Sequence, residues 1–272
     1  MQGRLCAPVD GKIQAFPWDD WQGEFASALT LGFDLMEWTI DQDGLRENPL
    51  MTVDGRLAIR GLCQSSGINI VSVTGDCFMQ APFYKQTGAT RAELLRDLAD
   101  VVRASSDIGI RYVVIPLVDD GSPAGAQQQQ SLLDGLLPLR PWLTSLQIKI
   151  LFELDLEPTR AAAFIDLFPT DAFGINYDIG NSASLGFDTR QEISAYGHRI
   201  DNVHVKDRLL HGTTVPLGTG NARFESSFRS LREAGYQGDL ILQTARADDG
   251  QHGRTLDGYR RMTREWWQAS GA

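Results

Sequence analysis

Short apolar runs recur along this 272-residue chain with a helical pattern after nearly every one, and that alternation constrains the fold more than any other feature. The runs fall at 2–5, 33–39, 68–74, 111–118, 149–155, 173–181, 201–208 and 238–246, roughly 25 to 40 residues apart. Strands that alternate with helices build a parallel sheet, because each crossover returns the chain to the same direction. Eight such units predict an α/β fold closed into a (β/α)₈ (TIM) barrel, with residues 1–272 as a single domain. No Gly-x-Gly-x-x-Gly follows a strand and no phosphate-loop pattern is present, so a doubly wound nucleotide-binding sheet is the weaker reading.

The clearest helix is predicted over 90–108. Thr90 is placed to cap it with Glu93 as the capping-box partner, Leu94, Leu98, Val101 and Val102 form its apolar stripe, and Gly109 ends it. A helix over 127–146 is expected to be disturbed by Pro138 and Pro141. The loop expected over 75–88 contains Phe78, Met79, Phe83 and Tyr84 and is unusually aromatic for a connection.

The stretch 201–208 reads DNVHVKDR. Val203 and Val205 alternate with Asn202, His204 and Lys206, so the polar side chains share one face of the strand and the valines share the other. In a barrel the chemistry sits where strands run into their following loops. Glu153, Asp178, His204 and Gln243 each stand late in one of four successive strands, giving two carboxylates, an imidazole and an amide as candidate metal ligands. That mostly hard set suits one Mn²⁺ or Mg²⁺ ion and tolerates Co²⁺ or Zn²⁺. Each residue alone has a plain structural explanation, as an interior hydrogen-bonded group or a helix cap of the kind expected of Asp155, Glu157 and Asp188. Inward parity and matching height in four consecutive strands are what point to a shared ion. Glu153 is also the candidate general base, since a carboxylate beside the metal reaches a carbon-bound proton.

Lys206, Arg208, Asn181 and Glu37 are candidates for binding substrate. Against each stands an ordinary role: solvation for Lys206, pairing with Asp207 for Arg208, a turn cap for Asn181, and a hydrogen bond to a neighbouring strand for Glu37.

Taken in order, QGRL at 2–5, GFDLMEW at 32–38, Glu153, DIGN at 178–181, HVKDR at 204–208 and GYQGDLILQ at 235–243 resemble the xylose isomerase-like TIM-barrel superfamily. This group of sugar isomerases and epimerases includes ketose 3-epimerases, hydroxypyruvate isomerase and inosose dehydratase. The resemblance spans essentially the whole chain and implies that Glu153, Asp178 and His204 are metal ligands. It departs at Gln243, where the superfamily usually has Glu, and at the start, where relatives carry several residues before the QGRL segment.

The expected function is a divalent-metal-dependent isomerase or epimerase of a sugar, polyol or keto acid acting through an enediolate. A dehydratase of a β-hydroxy ketone on the same scaffold and a non-catalytic sugar-binding barrel are the alternatives. The net charge of −10 argues against a nucleic-acid partner, and four histidines do not supply the His-rich trinuclear zinc cluster of the superfamily's abasic-site endonucleases. Three cysteines without CxxC spacing fit a reducing compartment. With no apolar leader or membrane-length run, a cytoplasmic protein with a small-molecule substrate is expected, either alone or as a homo-oligomer.

Overall fold

The computed structural model describes residues 1, 5–9, 11 and 14–271. Its main sheet holds seven strands, all parallel and in chain order: β1 (Leu35–Ile40), β2 (Asn69–Gly75), β3 (Tyr112–Leu117), β4 (Lys149–Leu154), β5 (Phe173–Asp178), β6 (Ile200–Val205) and β9 (Asp239–Leu242). The edge strands β1 and β9 approach each other, so the sheet nearly closes into the expected barrel. The first expected strand falls at 2–5, of which residues 2–4 lie outside the described residues. Met1 sits beside β1, donating to Leu35 O (3.1 Å) and accepting from Glu37 N (2.7 Å). Between β6 and β9 a small antiparallel hairpin is formed by β7 (Asp207–Arg208) and β8 (Thr214–Val215).

Helices surround the sheet: α1 (Trp21–Thr30), α2 (Val53–Ser66), α3 (Asp76–Gln80), α4 (Gly88–Asp107), α5 (Gly125–Leu136), α6 (Arg140–Ser145), α7 (Pro158–Ile165), α8 (Ile179–Leu185), α9 (Thr189–Tyr196), α10 (Phe224–Glu233) and α11 (His252–Ala269). Pro158 opens α7 at a position where a missing N–H costs nothing. Asp188 caps α9 by accepting from Arg190 N and Gln191 N, as expected. The cap assigned to Thr90 is corrected: α4 starts two residues earlier, and Thr90 lies inside its first turn. Gly88, at φ 58°, supplies the bend into the helix, so no hydroxyl is needed there.

The apolar connection after β2 is not a loop. It folds into α3 and a short 3₁₀ turn, Phe83–Lys85, which bury Phe78, Phe83 and Tyr84 in the core. Leu137–Leu139 forms a second 3₁₀ turn that separates α5 from α6 at Pro138, where the sequence predicted a disturbance. Trp266 stacks on Phe224 with ring centroids 4.5 Å apart, and Trp267 meets Phe228 edge-on, so α11 packs onto α10 through both tryptophans. Among the described residues no helix is long and apolar enough to cross a membrane.

Candidate active site

Strand parity delivers the chemistry to one place. In β5, Asn176 and Asp178 share a face, and they pair in register with Asn202 and His204 of β6. Phe152 pairs with Ile175, so Glu153 stands beside Asn176, one inward step below Asp178. Ile241 pairs with His204, so Gln243 lies one inward step above it. The four candidate ligands are therefore staggered in register, where the sequence predicted matching heights. Strand tilt in a barrel accounts for the stagger and for the convergence of Glu153, Asp178 and His204 despite it. Ligand atoms of Glu153, Asp178 and His204 all lie within 4.8 Å of one another, and all three side chains are buried.

His204 is completely buried and held from two sides. Its Nε2 lies 2.8 Å from Glu37 Oε1, while Nδ1 faces Glu153 Oε2 at 3.4 Å and Asp178 Oδ2 at 3.8 Å. Glu37 lies behind the imidazole, away from the mouth. It also accepts from Ser72 Oγ and Thr74 Oγ1, both at 2.6 Å, and from Asn202 Nδ2 at 3.3 Å. A carboxylate on the far nitrogen fixes ring orientation and directs the other nitrogen toward an ion. Glu37, a candidate for substrate binding, here contacts His204 and, in the alternative role set against it, Ser72 and Thr74 of the neighbouring strand β2.

Burial alone would raise the Glu37 pKa, but the His204 charge and the hydrogen bonds from His204, Ser72 and Thr74 outweigh it and lower the value to about 2. For His204, burial opposes a charge, yet Glu37 and Glu153 raise its pKa to about 10. The surroundings of this ring favour positive charge.

Glu153 is held by neutral amides: Asn176 Nδ2 donates to Oε2 (3.0 Å) and Asn181 Nδ2 donates to Oε1. The Asn176 amide also lies 3.1 Å from His204 Nδ1, and its oxygen accepts from Asn202 at 2.8 Å. Sequence reasoning passed over Asn176, although it shares the inward parity of Asp178 two residues on. Asn176 stands two residues before the end of β5, and a polar residue short of the strand end carries no signal of a site.

Asp178 does two things at once. Its Oδ1 caps α8 by accepting from Asn181 N (2.9 Å), and its Oδ2 accepts from Lys206 Nζ (3.0 Å). Gly180 lets α8 and β6 approach, since a Cβ there would lie 2.8 Å from Lys206 Cγ and 2.9 Å from its backbone carbonyl carbon. Arg208 donates to Asn181 Oδ1 (2.9 Å) and Gly212 O, whereas Asp207 accepts from the backbone of Gly218, Gly220 and Ala222. The two neighbours in sequence thus serve different partners. Lys206, Arg208 and Asn181 form one connected group beside the carboxylates.

Gln243 is 2% exposed, and its Oε1 has no hydrogen-bond partner among the described residues. A buried amide oxygen left unsatisfied costs about 1–3 kcal/mol. Together with two carboxylates and an imidazole nitrogen, that vacant acceptor fits a divalent cation.

A family model described as xylose isomerase-like TIM barrel matches residues 25–266. The chain belongs to this family. L-ribulose-5-phosphate 3-epimerase UlaE of Escherichia coli O1:K1 / APEC is 26% identical over 232 residues, covering 82% of this chain and 81% of the relative. Among solved structures, D-psicose 3-epimerase in the presence of D-fructose superposes with a TM-score of 0.76 at 14% identity, over 91% of this chain and 93% of that one. A xylose isomerase-like TIM barrel protein from Mycobacterium smegmatis in complex with magnesium gives 0.70 at 17% identity, over 99% and 95%. At such identities the structural likeness speaks to the fold shared across the xylose isomerase-like family.

Proposed function

We propose that the chain is a divalent-metal-dependent isomerase or epimerase of a small sugar or sugar-like hydroxy ketone, working as one barrel. The observation that carries this reading is the convergence of Glu153, Asp178 and His204 within 4.8 Å at the carboxyl ends of their strands. These three residues and Gln243 would hold the ion, with Mn²⁺ or Mg²⁺ suiting the oxygen-rich set and Co²⁺ or Zn²⁺ tolerated. When bound, such an ion polarises a substrate carbonyl and its neighbouring hydroxyl.

Glu153 removes the proton from the hydroxyl-bearing carbon, leaving an enediolate. Asn176 and Asn181 keep its two oxygens oriented. Glu37 holds the His204 ring, and Lys206 and Arg208 supply N–H donors to substrate oxygens. The likeness to L-ribulose-5-phosphate 3-epimerase UlaE and to D-psicose 3-epimerase supports a sugar as the substrate class, and UlaE makes a phosphorylated ketose part of any panel tested.

The test strips the protein with a chelator, restores Mn²⁺, Mg²⁺, Co²⁺ or Zn²⁺ singly, and follows ketoses and ketose phosphates by NMR. Turnover is expected with at least one metal. Glu153→Gln is expected to lower kcat by about 10²–10⁴, the range for removal of a general base, while an amide oxygen still supports metal binding. Parent-level turnover in Glu153→Gln would assign the base elsewhere, and release of an enone would identify a dehydratase.

A further inference from the structure

Inversion of a carbon through a planar enediolate removes a proton from one face and returns one to the other, so it needs an acid-base group on each face. Among the described residues, the carboxylates in the ligand cluster are Glu153 and Asp178. Glu37 is sealed behind His204, with donors from Ser72, Thr74 and Asn202 on its oxygens and His204 Nε2 2.8 Å from Oε1. Asp178 has one oxygen on the α8 backbone and the other on the Lys206 ammonium, so protonating it means breaking an ion pair. Glu153 alone is held only by neutral amides and the His204 ring. Gln243 shares the inward parity of Ile241, is buried, and presents an oxygen without a hydrogen-bond partner, but an amide takes no proton near neutral pH.

We infer that Gln243 makes this a one-base site, whose reaction is proton transfer between two adjacent carbons on one face of an α-hydroxy carbonyl sugar. This deepens the isomerase reading and rests on it. Glu153 takes the proton of the hydroxyl-bearing carbon. The C–H electrons form the enediolate double bond, and the carbonyl π electrons pass to its oxygen. The same carboxyl then gives its proton to the former carbonyl carbon. The double-bond electrons form the new C–H bond, and the old hydroxyl becomes the carbonyl as its proton moves to the other oxygen. No oxidant or co-reactant enters, and the product is the aldose or ketose partner of the substrate.

The neutral amide also leaves the ligand set one negative charge short of a three-carboxylate site. Replacing it with a carboxylate therefore strengthens cation binding.

The experiment compares the parent, Gln243→Glu and Gln243→Ala by equilibrium dialysis with Mn²⁺ and by the visible spectrum of bound Co²⁺. Gln243→Glu is expected to bind about tenfold or more tightly with an altered Co²⁺ spectrum, and Gln243→Ala to bind more weakly. Unchanged affinity and spectrum in both variants would remove Gln243 from the cation site and overturn the inference. In a second arm, the metal-loaded parent converts the ketose panel in deuterated water. Substrate hydrogen retained at the adjacent carbon in early product supports the one-base scheme. Inversion at C3 with complete solvent exchange overturns it while leaving the isomerase and epimerase reading intact, and would point to Lys206 as the second acid. Absence of turnover with every metal would overturn the isomerase reading and this inference with it, and the dialysis arm separates that outcome from a misplaced Gln243.

Discussion

Tyr177 and Asp178 are consecutive in β5 and face opposite ways, and the buried carboxylate groups they meet are built on different terms. Tyr177 turns toward the helical layer, where its hydroxyl donates to Glu192 Oε2 at 2.9 Å. Ser182 donates to the same oxygen, and Tyr196 donates to Oε1 at 2.7 Å. Glu192 is thus satisfied by three neutral hydroxyls. Its pKa is raised, chiefly by burial, which the hydroxyl bonds only partly offset. Asp178 turns toward the barrel mouth and joins Glu153, His204 and Lys206, and Gln243 Oε1, late in β9's run, has no hydrogen-bond partner among the described residues. Both regions bury carboxylates, so burial does not distinguish a site from a structural knot. Unmatched acceptors and an appetite for positive charge do.

The variant expected to have the largest effect acts on the charged cluster. His204→Ala removes the ring between Glu37 and Glu153 and leaves Glu37 buried without its cationic partner. Breaking a buried pair in this way costs about 3–5 kcal/mol, and Mn²⁺ binding should fall below detection. Adding Glu37→Gln to that variant should recover part of the loss, because the uncompensated charge goes with it. Urea unfolding and metal analysis read both effects. An unchanged unfolding midpoint in His204→Ala would mean that Glu37 is satisfied by Ser72, Thr74 and Asn202 alone, and the contrast with Glu192 would then disappear.

The same contrast explains what was legible in the sequence. Parallel strands buried on both faces make near-continuous apolar runs, so β1 to β6 and β9 stand out, and late polar residues within those runs point to Glu153, Asp178 and His204, which the fold brings within 4.8 Å of one another. The Glu192 knot left no such mark. Its hydroxyl partners come from β5, α8 and α9, and nothing in local patterning says that Tyr177, Ser182 and Tyr196 converge. The placement of Glu37 behind His204 depends on strand stagger around the barrel, which no single strand encodes. Thr90 misled because a hydroxyl three residues before a glutamate reads as a cap whether or not a glycine upstream has already turned the chain.

A smaller effect of a different kind is expected at the neutral cluster. Glu192→Gln keeps the shape but turns an N–H₂ toward hydroxyl donors, which should cost about 1–3 kcal/mol and leave Mn²⁺ affinity at the parent value. The two clusters should also respond to pH with opposite slopes in chelator-treated protein. Glu37, with a folded pKa lowered to about 2, contributes stability that is present above 4.5 and is lost as pH falls toward 2. Glu192, with a folded pKa raised above 4.5, binds more protons folded than unfolded, so stability falls as pH rises above 4.5. The cost of Glu37→Gln should therefore grow between pH 2 and 4.5, while the cost of Glu192→Gln should shrink above 4.5. Parallel slopes in urea unfolding would show that the two carboxylates are not held on different terms.

The smallest expected effect tests whether the hydroxyls, and not merely the burial, set the behaviour of Glu192. Tyr196→Phe removes the one O–H on Glu192 Oε1 while keeping the ring packed 6.4 Å from Tyr177. The loss should be about 1 kcal/mol near neutral pH, the value of one hydrogen bond. That bond favours the ionised carboxyl, so without it burial pushes the Glu192 pKa further up, and stability should fall more steeply above pH 4.5 than in the parent. Below pH 4.5 the carboxyl is protonated in both proteins and the two curves should draw together. A constant offset at every pH would instead make Tyr196 a packing residue, with desolvation alone governing Glu192. Mn²⁺ affinity should not change in either case, because Tyr177 and Tyr196 pack with Glu192 in the helical layer, on the opposite face of β5 from the proposed cation site.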